Sequence, residues 1–212
     1  FYQSPFLVRG TVIHMNYQEA TAYIEEIRGR LASDYSLDRV MKLAGLMGHP
    51  ERKLRIVHIA GTNGKGSVGA YIVNALAMSG YSVGRFASPA LFDPREQIQR
   101  VLGNHFGTDT AWISEEEVAE RITQIAQCVR KMEQVGGESP TAFEIETVMA
   151  FEQMVRWHTD VAVIEVGMGG STDATNIIEK PVLTVFTKIS RDHTGFLGNT
   201  LEEIASNKFG II

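Results

Sequence analysis

Residues 58–68 read HIAGTNGKGSV, an apolar run that breaks into glycines and then a Gly-Lys-Gly-Ser turn. The stretch LRIVHIA (54–60) predicts a buried strand, and VGAYIVNALAMSG (68–80) predicts the helix after it. A glycine-rich turn between strand and helix aims backbone N–H groups at one point. The helix N-terminus adds about half a positive charge there. Lys65 is long enough to reach a phosphate, and the Ser67 hydroxyl suits the magnesium that accompanies it. The implied ligand is a nucleoside triphosphate. The alternative is a tight strand–helix turn with no ligand, because Gly66 stands between Lys65 and Ser67, where the common phosphate-loop pattern has Ser or Thr directly after the lysine.

The rest of the chain alternates in the same way. Asn16 followed by Glu19 resembles a capping box, and Ala20, Ile24, Ile27 and Leu31 form one helical face. A short helix is expected over 37–47, ended by Gly48 and Pro50, and a strand over 81–87. Residues 88–112 hold a Ser-Pro and an Asp-Pro and are expected to be a long irregular loop. Ser114 and Glu117 open another helix, which runs to Gly136-Gly137, and a further helix covers 141–157. VAVIEV (161–166) and VLTVFTKI (182–189) are continuous apolar strands, and Thr200 with Glu203 opens a last helix. Strands alternating with helices imply an α/β fold, a mainly parallel sheet with helices on both faces.

Composition excludes several classes. A net charge of −5 with no basic cluster argues against a nucleic-acid surface. No apolar run approaches the ~20 residues of a membrane span. The one cysteine, Cys128, excludes an internal disulfide framework, suits a reducing cytoplasm and falls among the apolar positions of a helix, so it is expected to pack in the core. Residues 1–14, before Met15, lack the pattern of a signal peptide and are expected to be a vector-derived or disordered leader, with the domain over 15–212.

In sheets of this kind ligands bind beyond the C-terminal ends of the strands. Glu165 closes one strand and is followed by Gly167, Gly169 and Gly170; Asp192 and His193 follow another. Glu165 and His193 are candidates to converge near Ser67, where oxygen ligands and one imidazole suit a hard divalent cation. Taken singly, each has a plainer reading: a capping carboxylate, or a structural histidine such as is expected for His14, His49, His58, His105 and His158.

Five segments in this order carry a resemblance: GTNGKGS (61–67), SPALFDPRE (88–96), TAFEIETVMAF (141–151), EVGMGGSTDATN (165–176) and DHTGFLGNTLEEIASNKFGI (192–211). With MNYQEATAYIEEI (15–27), they resemble the amino-terminal, ATP-binding domain of the folylpolyglutamate synthase/dihydrofolate synthase family, a branch of the Mur ligases. The resemblance implies a P-loop fold of the Mur ligase central-domain type. It also implies a cytoplasmic ligase that uses ATP and Mg2+ to join L-glutamate to a folate or dihydropteroate through an acyl phosphate. It puts Thr62, Asn63, Gly64, Lys65, Gly66, Ser67 and Asn176 at ATP, and Ser67, Glu165 and His193 at the metal. Lys65, His193 and Lys208 become catalytic, with Lys208 matching a lysine that the family carbamylates; an ordinary exposed helix lysine is the alternative. Ser88, Pro89 and Arg95 belong to the loop, from Ser88 to about Gln99, that meets the pteridine end of the substrate.

The chain departs from the family at Ala90, where His is usual, at Gln97, where Arg is usual, and at Ser171-Thr172, where Arg-Leu is usual. Polar or cationic positions are thereby weakened around the substrate loop and the glycine turn, since Gln or Ser cannot replace a planar bidentate Arg donor. Family members are about twice this length and carry a further α/β domain. The isolated chain is therefore expected not to ligate glutamate, and to leave an apolar surface that favours self-association. Two other readings stay open: a Mur-type ligase for another carboxylate, and a non-catalytic nucleotide-binding module.

Overall fold

A computed structural model describes residues 7–8, 11–12, 14–29, 36–191, 195 and 197–212. Strands β1 (Leu7–Val8) and β2 (Thr11–Val12) pair as a small antiparallel hairpin ahead of helix α1 (Tyr17–Arg28). Helix α2 (Asp38–Leu46) follows, then a 3-10 turn over Pro50–Lys53. The central alternation comprises β3 (Ile56–Ala60), α3 (Lys65–Met78) and β4 (Val83–Phe86).

The segment expected to be one irregular loop contains regular structure. Residues 88–93 are irregular and a 3-10 turn covers Pro94–Gln97, but Ile98–Asn104 (β5) and Gly107–Trp112 (β6) form an antiparallel hairpin that continues the sheet from β4. β6 buries none of its residues, and β5 buries only Ile98 and Val101. An edge hairpin of this kind has no apolar period to betray it.

Helices α4 (Glu115–Gln134) and α5 (Ala142–Arg156) precede β7 (Val161–Glu165). A 3-10 turn (Ala174–Ile177), β8 (Leu183–Phe186) and α6 (Leu201–Phe209) complete the described chain. The strand order is β6-β5-β4-β7-β3-β8. β4, β7, β3 and β8 run parallel, while β5 and β6 are antiparallel.

Alternation along the strands sorts side chains to two faces. Val57 and Ile59 of β3, with Val161 and Val163 of β7, pack under Val73 and Ala77 of α3. Ile56, Ala162 and Ile164 face the larger layer made by α1, α2, α4 and α5, where Leu43, Ile122, Ile125, Ile145 and Phe151 are buried. Each such fully buried aliphatic contributes roughly 1.5–3 kcal/mol. Cys128 lies in this second layer, as expected, and burial pushes its thiol pKa up. A third, small cluster joins Ala60, Val166 and Ile211. It seats the end of α6 on the C-terminal edge of the sheet, and Phe209 meets Phe186 edge-on at 4.8 Å.

The helix starts divide into two kinds. α1, α4, α5 and α6 open on capping boxes built on Asn16–Glu19, Ser114–Glu117, Thr141–Glu144 and Thr200–Glu203. α2 and α3 open on Leu37 and Gly64 with no side-chain cap. The start of α3 is the one that lies at the C-terminal edge of the sheet, where a helix N-terminus suits an anion.

Candidate functional site

The loop between β3 and α3 lies at the C-terminal edge of the sheet. Gly64 has φ +88, a left-handed conformation that glycine adopts at little cost and that turns the chain into the helix. The loop is fastened to the segment after β8. The amides of Thr62 and Asn63 donate to the Lys188 carbonyl at 2.9 and 3.3 Å, and the Thr62 hydroxyl donates to the Ser190 carbonyl at 3.0 Å. Asn63, Gly64 and Ser67 are exposed, and Lys65 and Gly66 are half-buried.

Two lysines converge on one acceptor. Lys65 Nζ and Lys208 Nζ donate to the Gly61 carbonyl at 3.1 and 3.2 Å. Lys208 is 2% exposed, so it is not an ordinary surface helix lysine. Its placement depends on Gly170, where a Cβ would sit 2.6 Å from the Asn207 carbonyl oxygen and 2.7 Å from that of Lys208. Only glycine lets α6 lie this close on the turn after β7, which carries the Lys208 side chain back over Gly61.

Glu165 ends β7 beside the same loop, with Oε1 3.9 Å from Lys65 Nζ. Burial pushes its carboxyl pKa up, and Lys65 and Arg85 pull it back toward the charged form. Arg85, on β4, donates from Nη2 to the Gly66 carbonyl at 3.0 Å. Among the described residues no group of three or more His, Cys, Asp or Glu could hold a metal ion. His193, and Asp192 with it, lie outside the described residues. The donors present, a buried carboxylate next to a helix start that carries Ser67, are hard oxygens. They fit a magnesium ion whose remaining ligands are phosphate oxygens and water.

Asn176, expected near a nucleotide, donates from Nδ2 to the carbonyls of Ser171 and Gly210 at 3.1 and 3.0 Å. It clasps the glycine turn to the end of α6. Asp173 caps the 3-10 turn and is buried. It accepts from the Met168 amide at 2.8 Å, the Thr175 amide at 3.0 Å and the Thr175 hydroxyl at 2.6 Å. Burial pushes its carboxyl pKa up against those hydrogen bonds. His58 Nε2 lies 2.8 Å from the Thr175 hydroxyl oxygen, in line with the structural role expected of it, and burial lowers its pKa to about 4.

Beside the phosphate-type loop lies a cleft of about 710 Å³, bordered by Ser88, Pro89, Gln97, Thr141, Phe143, Glu146, Thr172 and Asp173 among others. That size is within the usual ~300–1,000 Å³ of a small-molecule site. Its charged walls are paired: Arg28 Nη2 to Glu146 Oε1 at 2.6 Å, and Arg39 Nε to Glu144 Oε2 at 3.3 Å. Gln97 is buried and its Oε1 has no partner among the described residues. Arg95 is held by Asp93, with Nη2 to Oδ2 at 2.7 Å, and lies over the Tyr17 ring at 5.6 Å. It borders a smaller chamber next to the cleft rather than the cleft itself.

The model of the Mur ligase middle domain matches residues 59–212. The chain belongs to that family. It is 41% identical over 199 residues to a dihydrofolate synthase/folylpolyglutamate synthase of Bacillus subtilis, covering 92% of this chain and 44% of that protein. It is 35% identical to the folylpolyglutamate synthase of Lacticaseibacillus casei, covering 93% of this chain and 44% of that one. A solved structure described as an FPGS–AMPPCP–folate complex superposes with a TM-score of 0.83 at 37% identity, over 93% of this chain and 46% of its own. This Mur ligase chain thus spans less than half the length of the relatives it matches, and the expected α/β class agrees with their fold.

The structure places Lys65, Glu165 and Lys208 around Gly61 and Gly66, with Ser67 in the first turn of α3; His193, expected to converge with Glu165 near Ser67, lies outside the described residues. The sequence alone does not single out Arg85, Asp173, Thr141, Phe143 and Glu146. Thr141 and Glu144 carry a readable capping-box spacing, and Arg85 is a cation inside an otherwise apolar strand.

Proposed function

We propose that this chain is the nucleotide-binding domain of an ATP-dependent ligase that adds L-glutamate to a folate or dihydropteroate in the cytoplasm. The observation that carries the proposal is the meeting of Lys65 and Lys208 on the Gly61 carbonyl, next to Glu165 and the uncapped start of α3. Two ammonium groups, a ring of backbone donors and one carboxylate are what phosphoryl transfer to a carboxylate needs. The similarity to an FPGS–AMPPCP–folate complex supports the same ligands here.

In this proposal the triphosphate lies over the N–H groups of residues 64–67, with Lys65 turned from Gly61 to a phosphate oxygen. Ser67 and Glu165, with His193, would hold Mg2+, which would neutralise charge on the transferring group. The folate enters the cleft, where the Phe143 ring offers a stacking face, Asp173 and Glu146 face the heterocycle, and Ser88 and Pro89 form one rim. Its carboxylate oxygen attacks the γ-phosphorus and ADP leaves. The glutamate amine then attacks the acyl carbonyl, forms the amide and expels inorganic phosphate. Lys208, buried above Gly61, is positioned to steady the negative charge of the acyl phosphate.

The test is phosphate release by the full-length protein supplied with ATP, Mg2+ and glutamate, with dihydropteroate, tetrahydrofolate or an unrelated carboxylate in turn. Release that requires a pteridine substrate and glutamate is the expected result. Release driven by another carboxylate would point to a different Mur-type ligase. No glutamate-dependent release with any of them would overturn the assignment.

A further inference from the structure

We propose that Arg85 is a positioning residue for the phosphate loop, anchoring the Gly66 carbonyl and standing beside Glu165 when Lys65 leaves that carboxylate for a nucleotide; this rests on the nucleotide-binding reading of Gly61–Ser67. Three observations carry it. Arg85 Nη2 donates to the Gly66 carbonyl at 3.0 Å, so β4 is tied to the first turn of α3 by a charge-assisted bond. A Cβ on Gly66 would sit 3.6 Å from Glu165 Oε2 and 3.8 Å from Arg85 Nη2, so carboxylate and guanidinium face the same point of that turn. Lys65 approaches the other carboxylate oxygen, Oε1, at 3.9 Å while donating to Gly61.

Glu165 is therefore flanked by two cations of different character. Lys65 is on a flexible stem and is shared with a backbone carbonyl. Arg85 is a planar fork fixed from below by Gly66. When Lys65 swings to a phosphate, Glu165 loses one of its two cations. Arg85, fixed on β4 and on the Gly66 carbonyl, does not move with it, so the buried carboxylate keeps a nearby cation. Without Arg85 the Gly66 carbonyl would lose its anchor and Glu165 the fixed cation beside it, so the loop and the carboxylate would meet the phosphates and Mg2+ less well ordered. The arrangement also gives Gly66 a reason. A side chain longer than a methyl group there would enter the space where Arg85 and Glu165 meet the helix.

The experiment is calorimetric titration of full-length protein with AMPPCP and Mg2+, comparing wild type, Arg85→Lys and Arg85→Met. Arg85→Met is expected to weaken binding about tenfold, and Arg85→Lys, which keeps the charge, by less than about threefold. The KM for the pteridine substrate stays unchanged in both. In a Glu165→Gln background, Arg85→Met is expected to cost little further affinity, because the arginine acts through the carboxylate. Affinity of Arg85→Met within about twofold of wild type would overturn the proposal. So would equal losses in the Lys and Met variants that track a falling melting temperature. Wild-type protein that binds AMPPCP but releases no phosphate with any pteridine substrate would sink the ligase reading and leave the Arg85 comparison standing.

Discussion

The phosphate-type loop and the neighbouring cleft are built by opposite means. At Gly61–Ser67 the groups offered to a ligand come mostly from the backbone: an uncapped helix start, glycines, and a carbonyl that holds two lysines in reserve. In the cleft they are side chains, and the chain already occupies many of them in Arg28–Glu146, Arg39–Glu144 and the hydrogen bonds on Asp173. Backbone donors are insensitive to substitution. A site made of them tolerates an irregular spacing such as Gly66, whereas each side chain in the cleft can be exchanged and with it the choice of ligand. Of the departures from the family pattern, Gln97 and Thr172 border the cleft, whereas Ala90 and Ser171 stand beside its lining in the sequence.

The largest effect that would break the comparison is at Lys65, one of the few side chains on which the loop depends. Lys65→Ala is expected to lower turnover of the full-length protein in the proposed ligase reaction by about 10²–10³-fold, the scale of one lost transition-state donor. Steady-state phosphate release measures it, and a loss below about tenfold would mean that the backbone alone carries the phosphates.

His58 ties the two regions together, since it sits in β3 ahead of the loop and bonds the buried Thr175, which in turn bonds Asp173 of the cleft. Its pKa is lowered to about 4 in the folded chain by burial. The unfolded chain, with an ordinary histidine near 6.5, therefore takes up the proton first as pH falls. Stability is unaffected above that value, declines as pH drops from about 6.5 to 4, and levels off below, for a total of roughly 3 kcal/mol. Urea unfolding across this range should show the slope in wild type and a shallower one in His58→Leu. Equal slopes would remove His58 as the group responsible.

How much of this was legible in the sequence follows the same divide. The loop could be read because glycines, a lysine and the switch from strand to helix period are all local. Lys208 was visible only through a resemblance: its burial depends on Gly170, 38 positions earlier in the numbering, admitting α6. The β5–β6 hairpin escaped because an edge that buries almost nothing leaves no alternation in its residues. Asp173 carries no signal of its own within the EVGMGGSTDATN segment, because its burial depends on Met168 and Thr175 closing around it. Asp173→Asn removes one charged acceptor from the cleft floor. It should raise the KM for the pteridine substrate about tenfold while leaving AMPPCP affinity unchanged. A matching loss at the nucleotide would show that the two regions are not separable.

The smallest expected effect is at Thr141, and it tests the cleft wall without touching a ligand-facing charge. Thr141 accepts the Glu144 amide at 3.2 Å, and its own amide is held by Glu144 Oε2 at 2.7 Å. This capping box fixes the first turn of α5, which presents Phe143 to the cleft and pairs Glu144 with Arg39. Thr141→Ala should cost about 1 kcal/mol in chemical unfolding. Thr141→Ser keeps the acceptor oxygen and should cost a few tenths at most. Because the cap lies on the side-chain-built region, the Ala variant should weaken pteridine binding slightly and leave the affinity for AMPPCP as it was. An equal loss for both ligands would mean that α5 supports the phosphate loop as well, so that the backbone-built site depends on the cleft wall beside it.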